Sequence, residues 1–200
     1  QHHLNLLCLE GTIALSEALR IQGRIADARA ALQASRKLVE ELGAGLIQAP
    51  LLWEEGALAE QCGEYLAAKI LCSESLEIGL PAWWSHALST LGWALIGLGE
   101  LEEAGNYLQK ISDEANAQGR LPISLDAQVG LMYIQWLSAW QGSPESQAWV
   151  EKNRAELHVI YQHPATSAET RQRIRKISNT IDQQMLERFG LGFGNVRVNS

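Results

Sequence analysis

Apolar residues along this chain return at intervals of three and four positions, without the strict alternation of a half-buried strand. They fall into nine stretches set apart by glycine, proline or polar turns. Such spacing lays one apolar stripe along each stretch, so each reads as a helix with one buried face. The pattern predicts helices over 4–21, 24–42, 50–61, 64–78, 83–97, 100–118, 123–140 and 145–160, the last two turning at Gly142-Ser143-Pro144. His163-Pro164 then breaks the chain, because the residue before a proline is driven out of the helical region. Thr166 with Glu169 reads as a capping box opening a ninth helix, whose Ile174, Ile177, Ile181 and Met185 share one face. The expected fold class is all-α.

Within this pattern three segments repeat. Gly23, Ala28 and Leu32 are matched by Gly63, Ala68 and Cys72, and again by Gly99, Ala104 and Leu108. The glycines lie 40 and then 36 residues apart. Each sits where one helix must end and turn sharply into the next, a place that often needs positive φ. Five residues on, alanine falls where two antiparallel helices approach most closely. One turn later a larger residue fills the space between them. Upstream of the turns stand Leu15-Ser16-x-x-Leu19, Glu55-Gly56-x-x-Ala59 and Leu91-Gly92-x-x-Leu95, each with a small residue second.

Together these marks resemble the tetratricopeptide pattern, W-x2-L-G-x2-Y followed by A-x3-F and a closing proline. Pro81 closes the second unit. The large aromatics are replaced here by Leu, Thr or Ala, and both periods exceed the usual repeat of about 34 residues. The longer period, with Leu38-Val-Glu-Glu-Leu-Gly43, Leu76-Glu-Ile-Gly-Leu-Pro81 and His163-Pro-Ala-Thr-Ser-Ala-Glu-Thr-Arg171, is similar to the divergent repeats of large bacterial signalling ATPases of the maltose-activator type. The repeat resemblance covers residues 9–118. It implies an antiparallel helix-pair solenoid over 1–161, with three clear units to about 118 and a degenerate fourth over 120–161. A capping helix over 162–188 and a flexible tail over 189–200 complete the expected organisation.

The same resemblance implies a non-catalytic sensor or scaffold segment of a cytoplasmic signalling or transcription-regulating protein. Such a segment binds a peptide, protein or small-molecule inducer in a concave groove. A free-standing adaptor bridging protein partners is the alternative. In tetratricopeptide folds the first helix of each pair lines the groove. Carried over by the glycines, that stripe contains Glu10, Ile13, Glu17 and Arg20 in the first unit, and Trp53, Ala57 and Glu60 in the second. The third unit adds His86, Ser89, Trp93 and Ile96, and the fourth Met132, Trp136 and Trp140. Glu17, Arg20, Trp53, Glu60, His86, Trp93 and Trp136 are the binding candidates. The tryptophans carry two readings, aromatic faces for a ligand or packing between helices.

Charge narrows the partner. The net charge of −7 argues against a nucleic-acid-binding surface. Residues 1–120 hold eight basic against sixteen acidic side chains, and residues 121–200 hold eight against seven. Arg171, Arg173, Arg175 and Lys176 read as the solvated face of a helix, with an anionic partner as the alternative. An acidic groove wall favours a neutral or basic ligand. The absence of an initiator Met points to a segment of a longer chain.

Chemistry is thinly signalled. Cys8, Cys62 and Cys72 form no C-x-x-C pair and read as buried free thiols. Glu40-Glu41, Glu54-Glu55 and Glu102-Glu103 are neighbours pointing about 100° apart on a helix, and read as solvated faces. Ser85-His86 and His158 with His163 lack a third member at a defensible spacing. No phosphate-binding G-x-x-x-x-G-K-[ST] occurs, and the Gly-x-Gly-x-Gly over 190–194 opens no helix. No run reaches the roughly 18 apolar residues of a membrane span, and no signal peptide opens the chain. No catalytic residue, metal ligand, cofactor or membrane contact is assigned.

Overall fold

The computed structural model describes residues 2–43, 45–139 and 144–189, with their side chains from Leu7 to Gln184 apart from 42, 46, 82, 139 and 144–151. Among them are nine α-helices, one short 3-10 turn over Gly45–Ile47, and no strand. The helices are α1 (His2–Ile21), α2 (Ile25–Leu42), α3 (Gln48–Gln61), α4 (Tyr65–Ile78), α5 (Pro81–Leu98), α6 (Leu101–Ala117), α7 (Leu121–Ala139), α8 (Pro144–Gln162) and α9 (Ala168–Phe189). None is long and apolar enough to cross a membrane.

The turns carry the periodicity. Gly23, Gly63 and Gly99 have φ of 77°, 79° and 79°, and Gly43, Gly79 and Gly119 reach positive φ in the same way. A left-handed glycine thus recurs every twenty residues, with a single interval of sixteen between Gly63 and Gly79. At Gly23 the glycine amide donates to Arg20 O and the next amide to Leu19 O, and this closure recurs at Gly63, Gly99 and Gly119. Pro81, at the first position of α5, has its missing amide where a helix needs none.

The small residues sit where helices touch. Ala28, Ala68 and Ala104 have no exposed surface. A Cβ on Gly56 would lie 2.6 Å from Cys72 Sγ, and one on Gly92 would lie 2.8 Å from Leu108 Cδ2. Ser16, third in that series, donates to Ala28 O at 3.3 Å. In the second and third units the second helix therefore presses its large residue, Cys72 or Leu108, onto the small mark of the first. Gly130 on α7 plays this part again, since its Cβ would meet Leu108 Cδ1 at 2.6 Å. Its signal lies outside the three-fold motif.

Chain neighbours pack side by side throughout. In addition, α1, α3, α5 and α7 touch one another in series, whereas the even-numbered helices touch chiefly their chain neighbours. The odd-numbered helices thus form one continuous layer, the inner one, since Glu169 and Arg173 of α9 pair with residues on it. One core centres on α5–α9 and includes Leu95, Leu108, Val129, Trp136, Ile160, Ile174 and Ile177. Another joins α1–α3 through Leu9, Ile13, Leu32, Leu51 and Leu58.

The start of α9 corrects the sequence reading. Its cap is Ser167, whose Oγ accepts from Thr170 N at 3.0 Å. Thr166 instead donates to Ile160 O at 2.5 Å, closing the end of α8, and Glu169 turns toward two arginines. The expected turn through Gly142 and Ser143, Trp140, the Met185 side chain and the tail from 190 on lie outside the described residues.

Candidate functional site

Polar side chains collect on the inner layer. Arg20 on α1 donates through Nε and Nη2 to the two Glu54 oxygens on α3, at 3.0 and 3.3 Å. Both side chains are sealed, at 1% and 0% exposure. Glu169 on α9 approaches the same guanidinium at 3.3 Å. One turn on, Arg173 pairs with Glu169 at 3.0 Å, with Glu60 of α3 at 3.1 Å and with Asp126 of α7 at 2.7 Å. Its guanidinium lies 4.7 Å from the ring centre of Trp93 on α5. Residues from α1, α3, α5, α7 and α9 thereby form one network, bridging sequence separations of up to 149 residues.

Asp126 is its hub. Oδ2 accepts from Ser89 at 2.6 Å, Trp93 Nε1 at 3.0 Å and Arg173 at 2.7 Å, while Oδ1 accepts from Thr170 at 2.8 Å. Burial alone would raise this carboxyl; Arg173 and the three neutral donors outweigh it and hold it below its ordinary value. Glu54 goes the other way. Burial pushes it up to about 7 although Arg20 opposes the rise. Burial also works against the Arg20 charge, and Glu169 with Glu54 more than restores it.

Beside this network the inner face stays open. A cavity of about 120 Å³ lies where α9 begins, between Glu17, Trp53, His86, Ser89 and Glu169. Trp53 donates through Nε1 to Thr90 at 3.1 Å, and its ring centre lies 5.2 Å from Trp83 and 5.1 Å from His86. A second opening, of about 260 Å³, lies beyond Arg173 between Glu60, Tyr65, Trp93, Tyr133 and Lys176.

The structure places the predicted residues on the inner face with different exposures. Arg20 and Glu60 are committed to ion pairs. Trp53 and Trp93 are 4% and 5% exposed, with indole N–H groups bonded inward. Trp136 is sealed and stacks on Tyr133 at 5.7 Å. Glu17 is half-buried and His86 exposed, both on the cavity.

Several expectations fail here. Glu54 is no solvated carboxylate but the most enclosed one among the described residues, because it faces Arg20 across a helix contact. Arg173 leaves the expected solvated basic face for the interior, and Arg171 closes the end of α8 by donating to Tyr161 O and His163 O. Cys72 is buried, and its thiol is pushed up to about 12, but Cys8 and Cys62 are exposed. Asp126 escaped the sequence reading, and Glu169 and Arg173 entered it only as half of a capping box and as part of a solvated face; the faint signal was charged residues on otherwise apolar helical faces.

Among the described residues no group of three or more His, Cys, Asp or Glu is placed to hold a metal ion. Compared with family models, curated proteins and solved structures, the chain matches none, so the functional reading rests on the site itself.

Proposed function

We propose that this chain is a non-catalytic recognition module of tetratricopeptide type, whose inner face binds a peptide, protein segment or small inducer. A place within a larger bacterial signalling ATPase is the parent architecture this reading favours. The observation that carries it is the convergence of five helices on one face, where a dense polar network borders an aromatic-walled cavity. Buried polar networks of this density hold side chains in fixed positions, and fixed positions are what selective recognition needs. The turn period and the small-on-large contacts support the repeat type.

The test is a displayed-peptide selection against the full chain, followed by binding to two variants. His86→Ala alters the cavity wall, and Glu102→Ala alters an exposed position on α6. Selected peptides should lose about tenfold in affinity on His86→Ala and none on Glu102→Ala. Equal binding to both variants, or no selected peptide at all, sinks the reading. Trp93→Ala cannot serve as the probe, since it removes a donor from buried Asp126 together with a core side chain.

A further inference from the structure

We propose that the cavity between Glu17, Trp53, His86 and Glu169 reads a cationic side chain, an arginine or lysine presented by the partner. The proposal rests on the recognition-face reading above and names the chemistry of its ligand.

Three observations carry it. The first is a charge surplus. Glu17, Asp126 and Glu169 line the cavity against one guanidinium, that of Arg173, with Arg120 at the rim bonded to Ser85 at 3.3 Å. A concave, low-dielectric wall focuses such a surplus and concentrates cations in the cleft. The second is Glu17 itself. Glu54 and Glu169 pair with Arg20, and Glu60 and Asp126 pair with Arg173, but among the described residues Glu17 has no cationic partner. It stands on the cavity wall without an ion pair of its own.

The third observation is that this inner face already holds a guanidinium in the same manner. Arg173 lies over the Trp93 ring at 4.7 Å while Glu60 and Asp126 take its N–H groups. An indole below and carboxylates at the side are what a desolvated cation requires. The cavity offers comparable components: the Trp53 and His86 rings, 5.1 Å apart, and the carboxylate of Glu17, with Glu169 and Arg173 on the same wall already paired to each other. An anionic ligand would meet the carboxylates instead, and a purely apolar one would leave Glu17 desolvated without a partner.

Arginine amide and citrulline amide test this on the full chain, because citrulline keeps the shape of arginine and lacks the charge. The readout is the Trp53 indole N–H resonance during titration at constant ionic strength. Arginine amide should shift it saturably, and citrulline amide should bind about tenfold more weakly. Glu17→Gln should bring arginine amide down to the citrulline level while its melting temperature stays at the wild-type value. Equal binding of the two amides, or an unchanged affinity in Glu17→Gln, overturns the proposal. Selected peptides that need His86 yet carry no cationic residue would also overturn it, and would leave the recognition face standing.

Discussion

At the scale of single residues, two buried carboxyls respond to pH in opposite senses. Asp126 is held below its ordinary value of 3.8, so the folded state binds its proton less readily than the unfolded chain does. Its contribution to stability is present above that value and is lost as pH falls through the lower folded one. Glu54 is raised to about 7, so the folded state holds that proton more tightly. Its contribution is present below the ordinary 4.5 and is lost as pH rises toward 7. The melting temperature should therefore peak in mildly acidic buffer and fall on both sides. Asp126→Asn should flatten the acid limb, and Glu54→Gln the limb toward neutrality. Thermal melts across pH that show unchanged limbs in these variants would mean that the acid and neutral transitions belong to other groups. These two residues also show why the site was partly hidden. The stripe of Glu17, Arg20, Trp53, Glu60, His86 and Trp93 is what the tetratricopeptide resemblance implies once it is set in register by the glycines. Which stripe residues stay open depends on partners elsewhere: Arg20 and Glu60 are taken up by Glu54, Glu169 and Arg173.

At the scale of helices, a small residue marks contact only where a large one faces it. Gly92 on α5 and Gly105 on α6 look alike in the sequence. A Cβ at Gly92 would meet Leu108 Cγ at 2.9 Å, and Leu108 is itself fully buried and has no room to retreat. A Cβ at Gly105 would meet nothing within 4 Å. Gly92→Ala should destabilise by ~1–3 kcal/mol, because overpacking outweighs the helix preference of alanine. Gly105→Ala should stabilise by ~0.5–1 kcal/mol through that preference alone. Denaturant unfolding of the two variants checks the pair, and the reverse order would place the α5–α6 contact elsewhere. Most of this level was legible beforehand. Helix count, limits within a few residues and the turns at Gly23, Gly63 and Gly99 all follow from apolar period and glycine position. The turns at Gly43, Gly79 and Gly119 and the small mark at Gly130 were less legible, because no alanine five residues on flags them. The cap of α9 was misplaced by one residue, since Thr166 and Ser167 are both able caps and only the bend after Pro164 decides between them.

At the scale of the whole molecule, α9 joins the two ends of the array. A stack of helix pairs held only by neighbour contacts frays from its ends, because a terminal pair has one neighbour fewer. Here Glu169 reaches Arg20 on α1 and Arg173 reaches Glu60 on α3, so the first pair gains a partner from the last helix. These ties are side-chain contacts, while the backbone of α9 packs on α7 and α8. Cutting the first should therefore loosen α1 with its partner α2, and cutting the second should loosen α3, without unseating α9. Arg173→Met keeps the aliphatic stem over Trp93 and removes the charge, leaving Glu60 and Asp126 buried without their cation. A global loss of ~3–5 kcal/mol follows from stranding such partners. Glu169→Gln is the gentler cut, since Arg20 keeps Glu54 and Arg173 keeps Asp126. Hydrogen exchange resolves the distinction by position. In Glu169→Gln the amides of α1 and α2 should exchange faster, and in Arg173→Met, which leaves Glu169 on Arg20, those of α3 should, while those of α9 retain protection relative to the global stability of each variant. Loss of protection spread evenly over all helices would mean that the network stabilises the array as one block. Wild-type exchange in α1 and α2 of Glu169→Gln would mean that the first pair stands without α9, and that the network serves only to hold the inner face in shape.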